Sequence, residues 1–236
     1  MSHVVSLSGG KDSTAMLLML IERRIPFDEV VFFDTGWEFP EMYEHLDKLE
    51  ADTGIKITRL SDSVGFTERM LHNHRTRGER VGNVSGFGWP TPLSRWCTTY
   101  KAQAIDRHCK GKQRYIGIAA DEAHRCKQWD YPLVEWGVTE ADALAYCKSR
   151  GYDWGGLYDH FKRVSCFCCP LQSIPELRAL RKHHPELWCR MLVWDHYISR
   201  PQDRTKDRFR NDYSLPELEL RFRIEDRQPR LMEVDE

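Results

Sequence analysis

Residues Ser6–Thr14 read SLSGGKDST and directly follow the apolar pair Val4–Val5 near the start of the chain. The next residues, Ala15–Ile21, are rich in leucine and methionine, so the stretch predicts a buried strand, a glycine-rich turn and a helix. Such a turn directs backbone N–H groups and a helix N-terminus at whatever lies above it, which suits a phosphate group. The simpler alternative is a surface turn with a helix cap.

The side chains of this turn favour a metal-bound nucleotide. Its polar and flexible residues are Ser8, Gly9, Gly10, Lys11, Asp12 and Ser13. The glycines allow close backbone approach, whereas Asp12 would repel a polyphosphate unless Mg²⁺ lay between them. A Walker A motif is excluded, because Val5 stands where its first glycine would be and Asp12 stands where a hydroxyl would follow the lysine.

Strands and helices alternate along the chain. Apolar runs predict strands at His3–Leu7, Glu29–Asp34, Ile55–Leu60 and Arg114–Ala119. Helical spacing predicts helices over Asp12–Arg24, Pro40–Thr53, Leu93–Cys109, Pro175–His183 and Pro185–Ile198. The pattern predicts an α/β fold, with a doubly wound, mostly parallel sheet, helices on both faces and a C-terminal helical extension. We expect residues 1–165 to form the nucleotide-binding domain and residues 166–236 to form a cysteine-rich loop and helical extension packed on it.

Three segments depart from this alternation. Ser61–Pro92 is crowded with histidine and arginine before a glycine-rich run, and it predicts a long functional loop or lid. Tyr131–Trp136 predicts a short extended piece, after which Thr139 and Asp142 predict a capping box at a helix start. The highly charged chain from Arg200 predicts a loosely attached extension.

The phosphate turn resembles the PP-loop of the ATP pyrophosphatases, enzymes that cleave ATP between its α and β phosphates. A second stretch, FFDTGWEFPEM at Phe32–Met42, resembles the DTG-x-x-F-P-E segment of phosphoadenosine phosphosulfate (PAPS) reductases and their relatives. Asp34 ends a strand, where doubly wound sheets place their ligand sites. It is therefore a second candidate for the Mg²⁺ or ribose side of a bound nucleotide.

Two later stretches extend this resemblance. SRWCTTYKAQAI at Ser94–Ile105 is similar to the R-W-C-T-x-x-x-K segment of the DNA phosphorothioation branch of the same superfamily. GIAADEAHR at Gly117–Arg125 resembles a G-x-R-x-x-E-x-x-R element whose basic residues meet phosphate. Ala119 replaces the first arginine of that element, so Gly117 and Arg125 are the site residues that carry over.

The cysteines predict a metal site. In SCFCCP, Cys166 and Cys169 have C-x-x-C spacing, which suits zinc or an iron–sulfur cluster. The resemblance adds Cys97, because the phosphorothioation branch and the adenosine phosphosulfate (APS) reductases use cysteines at such places to hold a [4Fe–4S] cluster. Those three ligands would leave one iron open, whereas Cys168 as a fourth would close the site. Zinc is the alternative metal, and a third interpretation makes the cysteines small buried hydrophobic residues.

Composition limits the partners. The net charge of −1 gives no global basic signal, so nucleic-acid binding would need a local patch. The N-terminus lacks a signal pattern, and no apolar run is long enough to span a membrane. The sequence therefore predicts a cytoplasmic protein with no membrane partner.

Together these features predict an ATP-dependent adenylating enzyme of the PAPS reductase-like family, with Lys11, Asp12 and Arg125 as catalytic residues. The resemblance implies sulfur transfer to a nucleic-acid or small-molecule acceptor with release of pyrophosphate, assisted by the [4Fe–4S] cluster. It also implies a sulfur-donor protein and a homodimer as partners. One alternative is a sulfonucleotide (PAPS or APS) reductase, although no cysteine follows Cys189 to form a thiosulfonate intermediate. The other is a non-enzymatic nucleotide-binding subunit of a larger complex.

Overall fold

The computed structural model describes residues 2–73, 81–82, 86–198 and 208–227. The chain divides into two compact units. The sheet unit joins Met1–Phe66 to Trp96–Phe167, and the helical unit joins Thr67–Arg95 to Cys168–Glu236. The division at residue 165 that the sequence suggested stays a prediction.

The sheet unit is built on four parallel strands. They are β1 (His3–Leu7), β2 (Glu29–Asp34), β3 (Ile57–Ser61) and β4 (Gln113–Ile116). The strand order is β3-β2-β1-β4, with Val5 paired to Val30 on one side and to Tyr115 on the other. The chain moves outward from β1 to β3 and then returns to the other side of β1. The topological switch point therefore lies between β1 and β4, where such sheets bind ligands beyond the carboxyl ends of the strands.

Helices cover both faces of this sheet, so the predicted α/β fold is confirmed. The α-helices of the described residues are α1 (Lys11–Glu22), α2 (Pro40–Thr53), α3 (Phe66–His72), α4 (Trp96–His108), α5 (Pro132–Glu135), α6 (Glu140–Ser149), α7 (Ile174–His183), α8 (Pro185–Ile198) and α9 (Leu215–Arg227). The run Val30–Phe33 in β2 is buried throughout, as expected for a parallel strand covered on both faces. No helix within the described ranges has the length and apolar character needed to cross a bilayer.

Local signals in the sequence placed several helix ends correctly. Helix α2 ends at Gly54, whose φ of 68° is the left-handed conformation that glycine adopts without strain. Helix α6 begins with the predicted capping box, in which the Thr139 side chain accepts from the Asp142 N–H and Asp142 accepts from Thr139 N–H.

Other predictions were wrong or lie partly outside the described residues. Within Tyr131–Trp136 the chain forms α5 instead of an extended piece, because Pro132 has the fixed φ that suits a first helical position. The charged tail contains α9, which buries Leu215, Leu218 and Phe222 on one side. The predicted lid includes α3, but its residues 74–80 and 83–85 lie outside the described part of the chain.

Candidate functional site

The phosphate loop Ser8–Ser13 leaves the carboxyl end of β1 and enters α1 at Lys11. Gly9 has a φ of +81°, and a Cβ there would lie 2.3 Å from Met42 Sδ, so the loop conformation requires glycine. Gly117 follows β4, and a Cβ on it would lie 2.6 Å from Ser13 Cα. The neighbouring strands β1 and β4 thus bring Gly117 against the loop at the switch point of the sheet.

Hydroxyl groups close the loop on itself. The Ser8 N–H donates to Ser13 Oγ over 3.1 Å, and that hydroxyl lies 3.1 Å from the Gly10 carbonyl oxygen, to which it donates. Beneath the loop, Thr14 Oγ1 lies 3.0 Å from Nε2 of the buried His45. Burial lowers the pKa of His45 to about 4, so its ring is neutral under the loop near pH 7.

Two charged residues at the start of α1 face each other. The Lys11 side chain is 7% exposed, and its Nζ lies 3.0 Å from Glu140 Oε2 and 3.6 Å from Asp12 Oδ2. Burial raises the pKa of Asp12 to about 6; the Lys11 charge opposes this shift and the Glu140 charge adds to it. Asp12 Oδ1 is buried and has no hydrogen-bond partner among the described residues. Carboxylate oxygens are ligands that Mg²⁺ prefers, so Asp12 fits a magnesium ion carried by a nucleotide.

Arg125 lies at the end of a 3₁₀ segment, Ala120–Arg125, and forms an ion pair with Glu122. Arg163 also pairs with Glu122, and its Nη2 lies 3.9 Å from Glu140 Oε1. Glu140 in turn pairs with Lys11, so alternating charges connect the Arg125 segment to the loop. Sequence reasoning did not single out Glu140 or Arg163, because each becomes notable only through these tertiary contacts. It did not assign a role to Glu122 either, although Glu122 stands at the glutamate of the G-x-R-x-x-E-x-x-R element.

Asp34 lies at the end of β2, where it accepts a hydrogen bond of 2.7 Å from the Tyr43 hydroxyl. The neighbouring Thr35 hydroxyl contacts the buried Glu38 carboxylate at 2.8 and 2.9 Å. Burial raises the pKa of Glu38. Cys166 Sγ lies 3.6 Å from Thr35 Oγ1, so one predicted metal ligand lies beside the Asp34 segment.

The four predicted metal ligands are divided between the two units. Cys97, near the start of α4, and Cys166 belong to the sheet unit, while Cys168 and Cys169 belong to the helical unit. Among the described residues, which include every cysteine, no group of three or more His, Cys, Asp or Glu side chains is arranged to hold a metal ion. The metal site and the roles assigned to the loop residues stay predictions.

The sequence is similar to several known proteins. An uncharacterized protein of Methanocaldococcus jannaschii is 27% identical over 207 residues, which cover 78% of this chain and 39% of that protein. Adenosine 5'-phosphosulfate reductase 2 of Bacillus subtilis is 25% identical over 174 residues, which cover 67% of this chain and 68% of the reductase. The chain spans less than half the length of the first curated relatives it matches, 39% and 45%.

A solved structure and a family match complete the comparison. The U34-tRNA thiolase NcsA from Methanococcus maripaludis, with its [4Fe-4S] cluster, aligns with a TM-score of 0.41 and 16% identity. That alignment covers 87% of this chain and 74% of the thiolase. Residues 2–172 match the phosphoadenosine phosphosulfate reductase domain, which is well over half of the chain. The protein therefore belongs to the phosphoadenosine phosphosulfate reductase domain family.

Proposed function

We propose that the protein is an ATP-dependent adenylating enzyme, which binds Mg·ATP at the phosphate loop and releases pyrophosphate. The observation that carries this proposal is the loop itself, a strand–glycine turn–helix unit at the switch point of a parallel sheet. The helix N-terminus and Lys11 supply positive charge, and the open Oδ1 of Asp12 suits the magnesium ion of the nucleotide. Membership of the PAPS reductase domain family supports an adenine nucleotide as the ligand of this loop.

The proposed reaction needs little covalent chemistry from the protein. An oxygen of the acceptor forms a bond to the α-phosphorus, the bond from that phosphorus to the bridging oxygen breaks, and pyrophosphate leaves with the bond electrons. Catalysis of such a step depends on positioning and on neutralising charge. Backbone N–H groups of the loop and the Lys11 ammonium group would stabilise the departing pyrophosphate.

Sulfur transfer is the second step that we propose. Sulfide delivered by a donor protein attacks the adenylated carbon or phosphorus of the acceptor. A C–S or P–S bond forms, the bond from that atom to the AMP oxygen breaks, and AMP leaves with the bond electrons. The similarity of Ser94–Ile105 to the phosphorothioation branch supports this step, as does the relationship to a reductase of a sulfonucleotide. A nucleic acid or a small molecule is the proposed acceptor.

Calorimetric titration with Mg·ATP, followed by an assay for pyrophosphate in the presence of candidate acceptors, tests the proposal. We expect Lys11→Ala to weaken ATP binding by at least about tenfold, since it removes a charge-assisted contact. Lys112→Ala is the matched control. The Nζ of Lys112 also lies 3.0 Å from a carboxylate, that of Glu29, the first residue of β2. Absence of ATP binding would overturn the proposal, and sulfite release from a sulfonucleotide would favour the reductase alternative.

A further inference from the structure

The segment Tyr152–Tyr158, YDWGGLY, folds into a left-handed turn against the phosphate loop. Trp154, Gly155 and Gly156 have φ values of 54°, 59° and 81°. For a tryptophan this conformation is strained, because its Cβ comes too close to the following carbonyl oxygen. Such strain persists only where surrounding contacts hold the residue in place. The contacts of Trp154 therefore explain why it adopts this conformation.

Trp154 fixes one peptide group of the loop. Its indole Nε1 donates a hydrogen bond of 2.7 Å to the Gly9 carbonyl oxygen, and the ring stacks on His45 at 4.4 Å between centroids. The C=O and N–H of a trans peptide point in opposite directions. Because Trp154 and Thr14 hold the Gly9 carbonyl towards the interior, the Gly10 N–H is directed the other way, and it has no acceptor among the described residues.

Tyr158 lies over the next N–H of the same loop. Its hydroxyl oxygen accepts a hydrogen bond of 2.7 Å from the Lys11 N–H, at the first position of α1. Burial raises the pKa of this phenol, so it keeps its proton at neutral pH. That proton has no acceptor within the described ranges. Accepting a bond from a helix N-terminus polarises the hydroxyl and makes it a stronger donor.

We propose that Trp154 and Tyr158 complete the phosphate loop as a site for a pyrophosphate group. Trp154 is a positioning residue, which directs the Gly10 N–H towards a phosphate oxygen. Tyr158 contacts the ligand and donates its hydroxyl hydrogen to the same group. This inference rests on the proposed function, since it assumes that the loop binds the polyphosphate part of ATP.

Calorimetric titration of the full chain with magnesium and inorganic pyrophosphate tests the inference on two variants. Trp154→Phe keeps an aromatic ring over His45 but removes the indole N–H, and Tyr158→Phe removes only the hydroxyl. We expect each to weaken pyrophosphate binding about tenfold, the effect of losing one hydrogen bond of about 1.4 kcal/mol. Adenosine binding, measured alongside, should not change, because adenosine carries no phosphate.

Two control variants remove equivalent groups elsewhere. Trp188→Phe removes an indole N–H that donates over 2.7 Å to Glu219 in the helical unit. Tyr152 lies in the same segment as Trp154 and Tyr158, and Tyr152→Phe removes its hydroxyl, which forms a hydrogen bond with the Asp52 side chain. Both controls should bind pyrophosphate as the wild type does.

The outcomes separate this inference from the proposed function. If the wild type binds neither ATP nor pyrophosphate, the proposed function fails and the inference fails with it. If the wild type binds both while Trp154→Phe and Tyr158→Phe bind pyrophosphate unchanged, only the inference is overturned. If a variant loses affinity for adenosine and pyrophosphate equally, the substituted residue only supports the fold, and the inference is overturned for that residue. Tighter binding by Tyr158→Phe would overturn the role given to Tyr158, because it would show that the hydroxyl competes with the ligand for the Lys11 N–H.

Discussion

The phosphate loop and the cysteine set contrast in how far their members are separated along the chain. The loop is six consecutive residues, and its internal hydrogen bonds join positions at most five apart. The cysteine set draws Cys97 from one helix and the others from a later segment, and the unit boundary falls between Cys166 and Cys168. A contiguous turn is shaped by its own backbone, whereas a dispersed ligand set depends on tertiary placement and on the metal, whose binding free energy helps to order its ligands.

The largest effect that we predict concerns the cysteine half of this comparison. In protein purified without oxygen, the sequence predicts stoichiometric iron and acid-labile sulfide, both lost completely in Cys166→Ala. Cys189→Ala, at an exposed position on α8, should keep both. Elemental analysis and a visible absorption spectrum measure them. Zinc in place of iron would support the alternative metal, and absence of both metals would make the ligand prediction wrong.

The next prediction tests the close packing of the loop. Gly117→Ala would place a Cβ 2.6 Å from Ser13 Cα and 2.8 Å from Ser13 N, and both are backbone atoms that cannot move cheaply. We expect a loss of about 2–3 kcal/mol in the free energy of unfolding, together with weaker ATP binding. Gly111→Ala, where a Cβ would meet nothing within 4 Å, should cost about 1 kcal/mol from its positive φ and leave ATP binding intact. Equal effects of the two variants would contradict this account.

A third prediction concerns pH and the support beneath the loop. Because the pKa of His45 is lowered to about 4, the unfolded chain binds a proton below pH 6.5 while the folded protein does not. Stability should therefore fall as pH falls from 6.5 towards 4, by about 2 kcal/mol at pH 5 relative to pH 7. Denaturant titrations at pH values across this range measure the free energy of unfolding, which should decrease less with falling pH in His45→Gln than in the wild type. The exposed control His72→Gln should retain it, and an unchanged slope in His45→Gln would assign the dependence to other groups.

The smallest effect that we predict comes from changing the N-terminal cap of α6, the helix whose first residue is Glu140, the partner of Lys11. Thr139→Ala removes the capping box of α6 and should cost about 1 kcal/mol. Ser173→Ala removes the equivalent box from α7 in the helical unit and should cost a similar amount. We expect only Thr139→Ala to change ATP affinity as well, measured by calorimetry. A change in both variants would mean that capping acts through overall stability.

Local signals explain which parts of the fold could be predicted. The apolar runs of β1 and β2, the glycine that ends α2 and the capping box of α6 are each encoded within a few residues. Helix α5 has four residues, too few to show a helical period. Helix α9 is embedded in a charged tail, and its stability depends on packing such as that of Phe222 against Trp188 on α8, 5.8 Å between ring centroids.

By itself, the sequence determined the phosphate loop, because the conformations of glycine and the start of a helix are properties of adjacent residues. It also determined the parallel α/β class, through the alternation of buried strands with helices. Only the tertiary structure decided which distant groups meet the loop. Trp154, Tyr158 and Glu140 reach Gly9 and Lys11 across 145, 147 and 129 positions of the chain. Such contacts depend on the order of strands in the sheet and on the packing of helices over it, which no local pattern encodes.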